Sequence, residues 1–272
     1  MHIRQKLNAV VSRNNSLLCI GLDSDLEKLP ESVRSLPNPI FAFNKAIIDA
    51  THDLVCCYKP NTAFYEAYGL EGIRQLKMTC DYLRETYPEV VIILDPKRGD
   101  IGSTNVGYAR FAFDYLQGDC VTLQPYFGGE SLAPFLNRTE KGCIIMCKNS
   151  NPDSGEFQNL LVDGVPLYMK VAEAFATKWN TNDNVWLVIG ATYPEELGNV
   201  RRLAPNVTFL VPGIGAQGGD LEKTLAVGLD EQKRGIVIAA SRGVIFASKE
   251  SDFAEAARAE AGKLRDTINL HR

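Results

Sequence analysis

Asp95, Lys97 and Asp100 stand in the run Val90-Val91-Ile92-Ile93-Leu94-Asp95-Pro96-Lys97-Arg98-Gly99-Asp100, where an apolar stretch ends in a dense cluster of charge. The β-branched residues read as a strand buried on both faces. Residues two apart on a strand share a face, so Asp95 and Lys97 should project together while Pro96 points away. Gly99 lets the backbone turn, and Asp100 falls past the strand end, aimed elsewhere. Charge at the mouth of a buried strand is costly to desolvate. What it offers in return is electrostatic stabilisation and proton transfer by an ammonium group steadied by carboxylates. Taken alone, the segment also fits a plain strand-end salt bridge.

A second concentration of chemistry lies at Pro212-Gly213-Ile214-Gly215-Ala216-Gln217-Gly218-Gly219-Asp220. It satisfies the dinucleotide pattern G-x-G-x-x-G, but a fingerprint of that kind normally opens its fold, and this one comes late. The better reading is a phosphate cup, in which glycines bring backbone N–H groups onto an anion. Gln217 and the Gly218 backbone would donate, and Arg242 of Ser241-Arg242-Gly243 would pair with phosphate oxygens, with Gly243 allowing close approach. The chain has three histidines, His2, His52 and His271, none at a strand end. Proton transfer therefore falls to lysine or a carboxylate.

These residues need a scaffold that gathers strand ends. Strands are expected at 17–22, 54–59, 90–94, 120–123, 143–147, 185–189, 207–211 and 236–240, alternating with helical patterns at 46–54, 70–87, 106–116, 167–179 and 251–268. Asn38-Pro39 supplies a helix start, with Asn38 as cap. Eight βα units without a linker fit one α/β domain over residues 1–272, a single (β/α)8 TIM barrel. A doubly wound sheet, which would divide into two halves, is the rival. Barrel sites sit at the carboxyl ends of strands, and those ends here carry Asp23, Lys59, Asp95 with Lys97, Asn149-Ser150, the glycine loop and Arg242. The long segments 23–37 and 150–166 exceed ordinary connections, and the latter is a lid candidate.

The formal net charge of −4 argues against non-specific nucleic-acid binding. No signal peptide and no membrane-spanning stretch is expected. Seven cysteines, an odd number and mostly in expected strands, read as reduced packing residues of a cytoplasmic protein. Cys143 and Cys147 lie along one strand without a second ligand pair, so no metal is expected.

The stretch Asp95 to Thr104 resembles the D-x-K-x-x-D-I-x-x-T motif of the orotidine 5′-phosphate decarboxylase family. The glycine loop resembles that family's phosphate loop, and Asp23 and Tyr58-Lys59-Pro60-Asn61 fit its longer bacterial branch. Pro96 stands where many members carry a small residue. The resemblance implies decarboxylation of orotidine 5′-monophosphate to UMP in pyrimidine biosynthesis, with neither cofactor nor metal. It implies that Lys97 stabilises and protonates C6, that Asp95 repels the substrate carboxylate, and that Lys59 and Asp100 complete a row of alternating charge. It further implies that Asp23 holds ribose hydroxyls, that Ser150 reads the pyrimidine amide edge, and that Gln217 and Arg242 hold phosphate. In a homodimer, Asp100 and Thr104 would enter the neighbouring site. A lyase on the same scaffold would use Mg²⁺ with a further carboxylate and a histidine, but Lys59 occupies one such strand end. A non-catalytic nucleotide-binding barrel would have no need of the charge row.

Overall fold

The computed structural model describes residues 1–214 and 220–272. Among the described residues ten strands form: β1 Leu18–Gly21, β2 Cys57–Lys59, β3 Val91–Arg98, β4 Cys120–Leu123, β5 Gly142–Lys148, β6 Leu161–Val162, β7 Val165–Pro166, β8 Val185–Ile189, β9 Thr208–Pro212 and β10 Ile236–Ala240. Eight of them close a barrel in the order β1-β10-β9-β8-β5-β4-β3-β2, and every pairing in it is parallel. β6 and β7 make a separate antiparallel hairpin. The fold is the (β/α)8 barrel that the alternation of elements indicates. The runs Leu18–Gly21, Val91–Leu94 and Val185–Ile189 are buried throughout, as strands covered on both faces must be.

Three local features depart from the sequence reading. β3 continues to Arg98, so Asp95 and Lys97 lie on the strand and not beyond it, with a register shift between Leu94 and Arg98. Asn38 stands at the N-cap of the helix Pro39–Thr51 with Pro39 as first residue, but its side chain makes no capping bond and accepts a hydrogen bond from Arg74 instead. The segment expected to form one helix at 106–116 divides into Gly102–Ala109 and a π-helical turn at Arg110–Tyr115.

The amino ends of the strands are closed by polar anchors. The helix Ile3–Asn14 buries Ile3, Leu7, Val10 and Val11, and its Lys6 donates to Asp119 at 2.8 Å. Asp119 also accepts from Arg84 and from the Ile92 backbone N–H, each at 2.9 Å, so one carboxylate ties the helix to β3 and β4. On the opposite side, buried Arg201 donates to the carbonyls of Gly228 (2.7 Å), Gly235 (2.7 Å), Val207 (2.8 Å) and Pro205 (3.0 Å). Its guanidinium lies 3.8 Å from the Phe209 ring centre, and burial pushes its pKa down to about 10. All seven cysteines are buried and unpaired. Among the described residues no helix is long and apolar enough to cross a membrane.

Candidate active site

The carboxyl ends of β1, β2 and β3 are stepped together by backbone bonds: Leu22 N–H donates to Lys59 O and Asp95 N–H to Pro60 O, each at 3.1 Å. This stagger brings three charged side chains into one row. Lys59 Nζ donates to Asp95 Oδ2 at 2.9 Å, and Lys97 Nζ donates to Asp95 Oδ1 at 2.8 Å. Asp23 Oδ1 lies 3.9 Å from Lys59 Nζ, within ion-pair range but beyond a hydrogen bond. Asp95 and Lys97 therefore meet on one side of β3, even though the register shift and the left-handed Lys97 backbone interrupt the regular alternation of the strand there.

Burial alone would drive Asp95 towards its neutral acid, yet the two ammonium groups outweigh it and hold the carboxyl far below the usual range. Burial likewise disfavours the charged form of Lys59, but Asp95 and then Asp23 prevail and raise its pKa above the ordinary lysine value. Lys97 is the most exposed charge of the row, with 39% of its side chain accessible against 10% for Lys59 and 7% for Asp95.

Thr122 on β4 was not apparent from the sequence as a site residue. Its hydroxyl donates to Asp95 Oδ1 at 2.8 Å and accepts from the Lys97 N–H at 3.0 Å. The available signal was a lone hydroxyl in the apolar run Cys120-Val121-Thr122-Leu123. Lys97 itself has φ 48°, a left-handed backbone that few non-glycine residues adopt and that costs about 1–3 kcal/mol. Ser241 is a second unforeseen contributor, since its hydroxyl donates to Asp23 Oδ2. A Cβ on Gly21 would stand 2.0 Å from that hydroxyl, so this position requires glycine.

Asp23, Lys59, Gly213, Ser241, Arg242 and Gly243 line a cavity of about 380 Å³. Arg242 and Gly243 are exposed, and Arg242 opens the helix Arg242–Ile245. Gln217 and Gly218 lie outside the described residues. Ser150 lies across the barrel mouth from Asp23, after β5. Its carbonyl accepts from Thr192 Oγ1 at 3.4 Å. Asp100 does not join the row within its own chain: its Oδ1 accepts from the Ile101 N–H at 2.6 Å, and it forms no ion pair among the described residues. Thr104 is half-buried on the helix Gly102–Ala109. Among the described residues no group of three or more His, Cys, Asp and Glu side chains suits a metal ion.

Residues 16–259 match the model of the orotidine 5′-phosphate decarboxylase / HUMPS family. The chain belongs to this family. An orotidine 5′-phosphate decarboxylase of Cellvibrio japonicus is 49% identical, the match covering 99% of this chain and 98% of that protein. Another, from Herpetosiphon aurantiacus, is 50% identical over 93% of each chain. Among solved structures, Leishmania donovani OMP decarboxylase superposes with a TM-score of 0.86 at 38% identity, covering 99% of this chain and 98% of that one. The Leishmania donovani UMP synthase gives 0.88 at 39% identity, and this chain spans 56% of that longer protein. The charge row thus lies on an orotidine 5′-phosphate decarboxylase-type barrel, at the strand ends where barrel enzymes keep their chemistry.

Proposed function

We propose that this chain decarboxylates orotidine 5′-monophosphate to UMP and CO₂ without metal or organic cofactor, with Lys97 as the group that stabilises and protonates C6. That it is an orotidine 5′-phosphate decarboxylase of UMP biosynthesis follows from its family and its relatives. The residue roles are our reading of the geometry. The observation that carries them is the Lys59–Asp95–Lys97 row, in which two ammonium groups share one buried carboxylate.

When the bond from C6 to the carboxylate carbon breaks, its electron pair stays on C6 and CO₂ departs. No adjacent π system absorbs that pair, so a fixed positive charge beside C6 is the available stabiliser. Lys97 supplies the charge and then gives a proton to C6, its amine being reprotonated from water. Asp95 keeps the ammonium aimed and repels the substrate carboxylate, a repulsion relieved as neutral CO₂ leaves. Lys59 holds Asp95 ionised and bridges towards Asp23, whose carboxylate suits ribose hydroxyls. Ser150 would read the amide edge of the pyrimidine, and Arg242 with Gln217, Gly218 and Gly243 would hold the phosphate. Phosphate binding far from C6 supplies energy that can be realised in the transition state.

That Asp100 pairs with the Ile101 N–H and not with the row of its own chain supports its donation, together with Thr104, to a second subunit. Ile101 and Val106, beside them, are large apolar residues left exposed (56% and 39%), a surface suited to a second copy of the chain.

The test is the loss of orotidine 5′-monophosphate absorbance with purified protein in excess EDTA, with Lys97→Ala alongside. Chelator-insensitive turnover that vanishes in the variant is expected, while UMP still binds. Wild-type-like turnover by Lys97→Ala would remove the central assignment.

A further inference from the structure

Lys148, the last residue of β5, is fully buried, yet its ammonium forms no ion pair among the described residues. Its Nζ donates to Asn159 Oδ1 at 2.9 Å and lies 4.5 Å from the Tyr193 ring centre and 5.9 Å from that of Tyr168. Burial lowers its pKa, with Glu196 acting in the opposite sense. A buried cation held by one amide and two aromatic faces is expensive. A methionine would fill such a place without that cost, which points to a role for the charge beyond packing.

What it holds is the strap that follows it. Asn159 lies on that strap, whose start is fixed by the Asn149 N–H donating to Gln158 Oε1 at 3.0 Å. The same Tyr193 that receives the cation on its ring donates its hydroxyl to Asn151 O at 2.9 Å and accepts from Ser154 Oγ at 3.2 Å. Beneath the strap, a Cβ on Gly190 would lie 2.7 Å from both Cα and Cβ of Ser150, so the end of β8 forms a close floor under that residue. The Gly190 N–H donates to Lys148 O at 2.8 Å, which sets the floor against the strap's root. These contacts hold the residues on either side of Ser150, and Gly190 packs against Ser150 itself.

We propose that Lys148 is a positioning residue that clamps residues 149–159 through Asn159 and Tyr193, so that Ser150 meets the base in a fixed place and discrimination between bases depends on the clamp. This rests on Ser150 reading the pyrimidine edge. The clamp acts on base recognition and leaves phosphate binding alone, because its contacts lie on β5, the strap and residues 190–193, whereas Arg242 follows β10.

The experiment measures inhibition by UMP, by CMP, which differs only at the amide edge, and by ribose 5-phosphate. Lys148→Met, Asn159→Ala, Ser150→Ala and the Ser150→Ala/Lys148→Met pair are compared with the wild type. Lys148→Met and Asn159→Ala should each narrow the UMP-over-CMP preference by about 10-fold, the worth of one well-placed hydrogen bond, and leave ribose 5-phosphate within about two-fold. The pair should be no worse than Ser150→Ala alone. An unchanged preference in Lys148→Met and Asn159→Ala, with a loss in Ser150→Ala, overturns the clamp and spares the Ser150 reading. An unchanged preference in Ser150→Ala overturns that reading and, with it, action through Ser150. Equal losses for all three ligands would mean a general disturbance of the site and also overturn the clamp. Should Lys148→Met fail to fold, Asn159→Ala, at an exposed position, decides the question.

Discussion

Thr122 holds Lys97 in a backbone conformation that lysine does not choose. The Lys97 N–H donates to the Thr122 hydroxyl at 3.0 Å, with Lys97 at φ 48° and the same hydroxyl turned onward to Asp95. The strain fixes the direction from which the ammonium reaches the site, and the hydrogen bond keeps the strain in place.

Thr122→Val removes the hydroxyl at nearly constant volume. It leaves Asp95 and the Lys97 N–H each short of a partner, a cost of about 1–3 kcal/mol. We expect kcat to fall about 10–100-fold with UMP affinity little changed, and Thr122→Ser to restore most of the rate. Steady-state kinetics on the two variants check this. A wild-type kcat in Thr122→Val would show that the strained backbone stands without it.

Subunit sharing is tested by mixing two inactive proteins, Asp100→Ala and Lys97→Ala. If Asp100 serves the neighbouring site, a mixed dimer rebuilds one intact site, and free exchange should return about a quarter of wild-type activity. Mixed dimers demonstrated by mass spectrometry but without activity would place Asp100 in its own chain's chemistry.

The pH dependence of stability follows from the signs of two shifts. Asp95 is held below the ordinary carboxylate range, so its contribution is present above the unfolded value of about 4 and lost as pH falls through the folded value. Lys59 is held above the ordinary lysine range, so its contribution is present below about 10.4 and lost as pH rises through the folded value. Denaturant titrations should therefore show wild type above Asp95→Asn at pH 7, with the gap closing as acid is added. A gap that stays constant into acid would contradict the Asp95 shift.

Arg201 serves stability and not chemistry. Arg201→Met strands several buried carbonyls at the amino ends of β9 and β10, a loss of about 3–5 kcal/mol. For a domain of this size the melting temperature should drop by about 10 °C, while kcat at low temperature stays near wild type. Calorimetry with parallel kinetics checks it, and an unchanged melting temperature would refute the anchoring role.

The barrel and the charge row were legible because both rest on local pattern. Buried β-branched runs announce strands, and a period of two predicts one face for Asp95 and Lys97. Contacts between distant segments were not legible. Thr122 meets Asp95 only through the stagger of β3 on β4, and Ser241 meets Asp23 only once the barrel closes. The extension of β3 to Arg98 was hidden because charged residues and a proline there imitate a loop. The Asp163-Gly164 turn between β6 and β7 did carry a local hairpin signature, with both residues at positive φ, but the strands it joins are two residues each.

The hydrogen bond from Ser241 to Asp23 joins residues 218 positions apart. A chain emerging from the ribosome has β1 to β3, and so Lys59, Asp95 and Lys97, long before the strand that supplies Ser241. Until β10 arrives, β1 has an open edge and Asp23 lacks its hydroxyl donor. Contacts of such long range also slow folding. Nascent or prematurely terminated chains would therefore expose a sticky strand with a half-built charge cluster, and would depend on chaperones in proportion to the time spent waiting for β10.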